Sequence, residues 1–182
     1  MNSLTRNFLR SKFREYYLVE PMSMPPGFQS REWGFIPFDE VAMRRHKSFS
    51  SRSEAVDYIR SMVPSHIYHS AAYYDRPGAP SMKEKFWKGA DLIFDLDADH
   101  LRKAPKSYSE MLELVKKETQ KLLSFLLSDF GFSVDKVSVV FSGGRGYHIH
   151  IRDKAVLALG SDERREIVDY LTGRWLDIGR FI

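Results

Sequence analysis

The chain has no cysteine among its 182 residues, which excludes disulfides and cysteine-ligated metals and fits a reducing cytoplasm. It has no apolar run of about 18 residues, the length a membrane-spanning helix needs, so no membrane partner is expected. The first residues, MNSLTRNFLRSKFREYY, are basic and aromatic and lack the apolar stretch of a signal peptide. Charge of one sign is scarce too: 28 basic against 24 acidic residues leave +4. That surplus permits a nucleic-acid partner without demanding one. No internal repeat, low-complexity tract or linker interrupts the chain. What remains, 43% apolar and 14% aromatic residues, is the composition of a folded globular protein. The length suits one domain, and a domain of about 150 residues buries roughly 70% of its unfolded surface.

Periodicity predicts a mixed architecture. Phe8, Leu9, Phe13, Tyr16 and Tyr17 recur at helical spacing over residues 3–17. Pro21, Pro25 and Pro26 then impose a loop. REWGFIPF, Arg31 to Phe38, reads as a short strand. Ser51 or Ser53 can cap a helix running to Met62 and stopped by Pro64. HIYHSAAYY, His66 to Tyr74, reads as extended, and ADLIFDLD, Ala90 to Asp97, as a buried strand. Ser107 with Glu110 has the spacing of a capping box for a helix over about 109–129. Val137 to Phe141 and Tyr147 to Ile151 predict two strands around a glycine-rich turn, and Ser161 a cap for a helix ending near Gly173. The expectation is an α+β fold whose sheet carries the chemistry.

The first candidate site lies in ADLIFDLDADH. Side chains alternate across a strand, so Leu92, Phe94 and Leu96 face one way and Asp91, Ile93, Asp95 and Asp97 the other. Two carboxylates on one face can reach a hard cation such as Mg²⁺, which takes one or two protein carboxylates and completes its shell with water and phosphate oxygens. Two such ions about 3.5–4 Å apart can clamp the attacking and leaving oxygens of a phosphoryl transfer. The competing explanation is a strand end turning acidic as it meets solvent. Like charges packed on one face after an apolar run repel without a counter-ion, which favours function. Asp99 keeps the same parity and His100 follows it, but a helix-starting or supporting role suits them as well as ligation.

The second candidate is VSVVFSGGRGYHIHIR. Gly143, Gly144 and Gly146 permit positive φ, so the backbone can turn its N–H groups toward an anion. Ser142 adds a hydroxyl, and Arg145 a planar, permanently charged fork suited to phosphate. His148, His150 and Arg152 share one face of the following strand; Tyr147, Ile149 and Ile151 share the other. A plain tight hairpin with solvent-facing histidines is the alternative. The loop is neither a Walker loop, lacking Gly-Lys-Ser/Thr, nor a dinucleotide fingerprint. His148 and His150 could suggest zinc, but with no cysteine and no third ligand beside them no zinc is expected.

Together these residues resemble the small catalytic subunits of archaeal and eukaryotic DNA primases. FDLDADH, Phe94 to His100, is similar to the family's apolar strand ending in Asp-x-Asp. SGGRGYH, Ser142 to His148, is similar to its Ser-x-Gly-Arg-Gly-x-His. REWGF, Arg31 to Phe35, and RRHKSF, Arg44 to Phe49, resemble its upstream segments.

The resemblance implies a primase-type catalytic domain over residues 1–182, with a mainly antiparallel sheet flanked by helices. It implies Asp95 and Asp97 as ligands of catalytic Mg²⁺ or Mn²⁺. Ser142, Gly143, Gly144, Arg145, Gly146 and His148 would bind nucleotide, with Glu32 and Arg45 in support. The implied activity is two-metal nucleotidyl transfer, making short primers from nucleoside triphosphates on a single-stranded DNA template. A primase large subunit is the implied partner and an archaeal-type cytoplasm the implied setting. Two departures stand out. The zinc module of archaeal members has no counterpart here. The third metal aspartate, which the family carries on a later strand, is not found before Ile182, so the chain is expected to be an N-terminal portion or to be completed by another polypeptide. A repair-type primase-polymerase domain and a non-catalytic nucleotide-binding fragment are the alternatives.

Overall fold

Asn2 opens the first helix by accepting a hydrogen bond on its side chain from the Thr5 N–H at 2.8 Å, and the helix, α1, runs from Ser3 to Val19. Its apolar stripe meets the rest of the fold through Phe13 and Tyr17, and the Tyr17 hydroxyl donates to the Pro64 carbonyl at 2.9 Å. The computed structural model describes residues 2–100 and 105–174. It divides the chain into two compact units, Met1–Gly89 and Ala90–Ile182, each with its own core.

In the first unit, β1 (Trp33–Ile36) is the centre of an antiparallel sheet, between β2 (Arg44–Lys47) and β3 (His66–His69). Trp33 and Phe35 are both buried, packing with Phe49, Tyr17 and the inner face of helix α2 (Arg52–Met62), where Ala55 and Ile59 point inward. Ser51 caps α2 by accepting from the Glu54 N–H. Val63, in the left-handed region, ends it before Pro64. A short pair follows, β4 (Ala72–Tyr74) with β5 (Trp87–Ala90), and between them lies the single-turn helix α3 (Met82–Lys85), held by a capping box from Ser81 and Glu84.

In the second unit, β6 (Leu92–Asp97), β8 (Gly146–Ile151) and β7 (Val137–Phe141) form an antiparallel sheet in the order β6-β8-β7. One face carries Leu92, Ile149 and Ile151 into a core closed by Leu126 of helix α4 (Tyr108–Ser128) and by Val156 of the short helix α5 (Lys154–Leu157). Ile167, on α6 (Ser161–Thr172), packs at its margin. Arg164 reaches from α6 to donate to the carbonyls of Ala90, Asp91, Val156 and Leu159. One guanidinium thus satisfies carbonyls where β6 starts and α5 ends.

The α+β expectation holds, and its sheets are antiparallel. Several local expectations do not. The extended stretch His66 to Tyr74 is two strands, because Ser70 and Ala71 turn their carbonyls to the buried guanidinium of Arg31. The proposed capping box at Ser107 does not form: Ser107 is the N-cap of α4, but its hydroxyl meets Ser109 at 3.0 Å instead of a backbone N–H. Ser161 is the first helical residue of α6 and Gly160 the cap, without a side-chain hydrogen bond.

Candidate active site

Antiparallel pairing of β6 with β8 sets Asp95 opposite His148 and Asp97 opposite Gly146. The two sequence motifs therefore meet at one end of one sheet. His148 Nε2 lies 3.2 Å from Asp95 Oδ1. Asp95 remains largely in solvent, with its side chain 69% exposed, so its charge is available to a cation. Asp97 Oδ1 accepts the N–H of Asp99 at 3.1 Å, which folds Ala98–His100 into a single 3₁₀ turn and ends the strand. That turn takes Asp99 out of the strand's alternation. Its carboxylate instead accepts from Arg145 Nη1 at 2.9 Å.

Asp91 is a correction to the alternation argument. It precedes β6, its side chain is 1% exposed, and its carboxylate lies 3.7 Å from Arg152 Nε. It keeps the parity of Asp95 but is covered, so it does not share that residue's exposure.

The glycine loop between β7 and β8 is organised from within. Ser142 Oγ accepts the N–H groups of Gly144 at 3.4 Å and Gly146 at 3.1 Å, and the Ser142 N–H donates to the Gly146 carbonyl at 2.9 Å. Those two amides are therefore turned to the serine oxygen, which differs from an open nest of N–H groups. The Ser142 proton is left to donate outward. Gly143 has φ +80° with open space where a Cβ would stand. Gly146 has a different reason to be glycine: a Cβ there would lie 2.0 Å from the Leu96 carbonyl oxygen. The strand carrying the carboxylates can approach the loop only because that side chain is missing. Two further ties fix the loop's edge, Tyr108 Oη to the Gly144 carbonyl at 2.8 Å and the Ala98 N–H to the Arg145 carbonyl at 3.3 Å.

Glu32 and Arg45 also meet, in the first unit. Their pairing depends on a bulge: Trp33 pairs with Lys47 but Phe35 with Arg44, and His46 has φ 61°. The bulge turns the His46 N–H to Glu32 Oε1 at 3.1 Å, and Arg45 Nε reaches the same oxygen at 3.2 Å. Lys85 Nζ lies 3.6 Å from Glu32 Oε2, donates to the Pro77 carbonyl and sits 5.7 Å from the Tyr74 ring. Burial is the largest influence on Glu32 and pushes its carboxyl upward. The His46 N–H, Arg45 and Lys85 together outweigh it and hold the group below the usual carboxylate range. Sequence reading missed Lys85. The one signal for it was its place among charged neighbours, MKEK, which looks like a solvated turn.

The donor set on β6 fits a hard divalent ion: two carboxylates two residues apart on the open end of a strand, without sulfur or a paired imidazole trio. Among the described residues, no group of three or more acidic or histidine side chains converges as a metal centre. No helix among them is long and apolar enough to cross a membrane.

Comparison with known proteins places both motifs within one family. The family model described as "DNA primase small subunit" matches residues 94–174, which contain both motifs. The DNA primase small subunit PriS of Methanothrix thermoacetophila is 67% identical over 186 residues, covering 100% of this chain and 47% of that protein. The proteins of the same name from Methanosarcina barkeri and Methanococcoides burtonii are 56% and 55% identical, with 44% and 47% of their lengths covered. The chain spans about half the length of the curated relatives it matches.

Proposed function

The chain belongs to the DNA primase small subunit family, and from that premise we propose that its second unit carries the catalytic face for template-directed nucleotidyl transfer. The reaction joins the 3′-hydroxyl oxygen of one nucleotide to the α-phosphorus of the next and releases pyrophosphate. The substrates are nucleoside triphosphates on a single-stranded DNA template, the product is a short primer, and a large subunit is the partner in an archaeal cytoplasm. One observation carries the proposal: strand register places Asp95, Asp97, His148 and the Ser142–Gly146 loop at one end of one sheet.

Each residue has a role that its position supports. Asp95 and Asp97 would hold Mg²⁺ or Mn²⁺, which when bound supplies Lewis-acid stabilisation of charge on the phosphate oxygens. Arg145 offers two parallel N–H donors to phosphate oxygens, a bidentate match that an ammonium cannot make. Ser142 donates its hydroxyl proton to the same anion while its oxygen keeps the loop closed. His148, 3.2 Å from Asp95, is placed to share a proton with that carboxylate or to donate to a phosphate oxygen. Glu32 and Arg45, which pair with each other and with Lys85 in the first unit, would serve as supporting residues.

Primer synthesis on single-stranded DNA tests this reading, with Asp95→Asn and Asp97→Asn beside the wild type and thermal unfolding followed in parallel. Both variants are expected to lose synthesis and keep the wild-type unfolding transition. Near-native synthesis in either variant would overturn the assignment. A second reading, nucleotide binding without turnover, is favoured by the absence of a third convergent carboxylate among the described residues. ATP binding with no incorporation by the wild-type chain would select it.

A further inference from the structure

Arg145 already holds an anion. Its guanidinium Nη1 donates to Asp99 Oδ1 at 2.9 Å, and both side chains are more than half exposed. The contact is built by neighbouring geometry on both sides. On one side, Asp97 Oδ1 accepts the Asp99 N–H and fixes the 3₁₀ turn that swings the Asp99 carboxylate off the strand. On the other, the Arg145 carbonyl accepts the Ala98 N–H at 3.3 Å, so the loop residue is tied to the same turn by its backbone. The carboxylate thus occupies one donor of the planar fork that a phosphate would use, and it does so from the residue two beyond a proposed metal ligand.

We infer that Asp99 is a positioning residue that competes with the substrate for Arg145: it holds the guanidinium at the end of β6 when no nucleotide is present and releases it to a triphosphate. This rests on the assignment of Arg145 to the phosphates. The exchange is one ion pair for another. Arg145 gives up one carboxylate oxygen and takes phosphate oxygens, and the freed Asp99 carboxylate goes to water, where its exposure already places it. The backbone tie from Ala98 to Arg145 survives the exchange, so the loop keeps its place while the side chain moves. Asp99 thereby raises the apparent dissociation constant for every ligand that needs Arg145, because only the released fraction of the guanidinium is competent. It also returns Arg145 to a fixed position when phosphate leaves.

A double-mutant cycle tests the inference, with ATP as the probe at one Mg²⁺ concentration and low salt, and unfolding followed for each protein. Arg145→Ala is expected to weaken ATP binding on the order of tenfold or more, as loss of a charge-assisted bond to phosphate does. Asp99→Asn is expected to tighten ATP binding about two- to fivefold, the range that opening an exposed ion pair corresponds to. The gain should vanish in the Arg145→Ala background and shrink as salt rises. An equal gain in both backgrounds would make Asp99 a general source of repulsion and overturn the inference. Weaker ATP binding in Asp99→Asn would also overturn it, by making Asp99 a contributor to the site. If Arg145→Ala leaves ATP binding unchanged, the phosphate assignment falls and the inference falls with it; the first two failures leave that assignment standing.

Discussion

Glu32, in the first unit, has a carboxylate that is 6% exposed, with a guanidinium, a backbone N–H and a fully buried ammonium around it, whereas Asp95, in the second, stands 69% exposed with one imidazole 3.2 Å away. The first unit has already neutralised its buried charge with its own cations. Its acid holds a bulged strand and a buried lysine in place. The second unit leaves Asp95 facing solvent with Asp97 half-buried beside it, and like charges two residues apart favour a cation from outside. The difference separates acidic residues that build the protein from acidic residues that can receive a ligand. Sequence alone did not separate them, since Glu32, Asp91 and Asp95 all sit in or beside strands and only burial and partners tell them apart.

The largest effect should come from the packing that makes the second site open. Gly146→Ala pushes a Cβ into the Leu96 carbonyl at 2.0 Å, and backbone cannot swing aside as a side chain can. Destabilisation of roughly 3 kcal/mol or more is expected in denaturant melts, with overpacking and backbone displacement combined. Gly144→Ala, whose Cβ would meet only Ser142 Oγ at 3.9 Å, is the matched control and should change stability little. A harmless Gly146→Ala would mean that β6 and the loop are not in close contact.

The next effect falls on the first unit. Glu32→Gln leaves Lys85, itself 0% exposed, without its carboxylate, and should cost about 3 kcal/mol, as removing one partner of a buried pair does. Adding Lys85→Met should recover part of the loss, because no unpaired charge then remains. The acid limb supplies the sign. Glu32 is held below its ordinary value, so its contribution is full above the unfolded pKa of about 4.3 and is lost as pH falls through the lower folded value. The wild type should therefore lose part of its stability advantage over Glu32→Gln only below about pH 4.3. A gap that stays constant down to pH 2 would show that Glu32 is not held charged by its neighbours.

The smallest effects concern helix caps. Ser51 accepts from the Glu54 N–H, so Ser51→Ala should cost about 1 kcal/mol. Ser107 and Ser161 make no cap hydrogen bond, and alanine at either should leave the unfolding midpoint unchanged. Equal losses at all three would show that the caps form in solution despite the geometry seen here.

These outcomes follow where the sequence was and was not legible. Strand β6 was legible because LIFDLD joins a short apolar run to a period-two pattern, and the hairpin because glycines sit between two such runs. Their mutual register was not, since it depends on Gly146 being the one residue that lets Asp97 come alongside. The break at Ser70 and Ala71 depends on Arg31, some forty residues away in the chain, which reads locally as a surface charge. The bulge at Arg45 and His46 is set by Glu32 across the sheet and has no glycine or proline to announce it. Asp91 kept the right parity and still belongs to the interior, because alternation says which way a side chain points but not what lies over it. Ser107 and Ser161 show the same limit at a helix start, where the residue type was suitable and the hydroxyl found another place or none.

On the proposed reading the metal goes to the carboxylates of β6 and not to the closed Glu32 cluster. Mn²⁺ titrated into the chain without nucleotide tests it directly, read by paramagnetic broadening of backbone amide signals. Saturable broadening centred on residues 94–98 is expected, lost in Asp95→Asn and in Asp97→Asn and retained in Glu32→Gln. Broadening that persists in both aspartate variants, or that centres on Glu32, would contradict it.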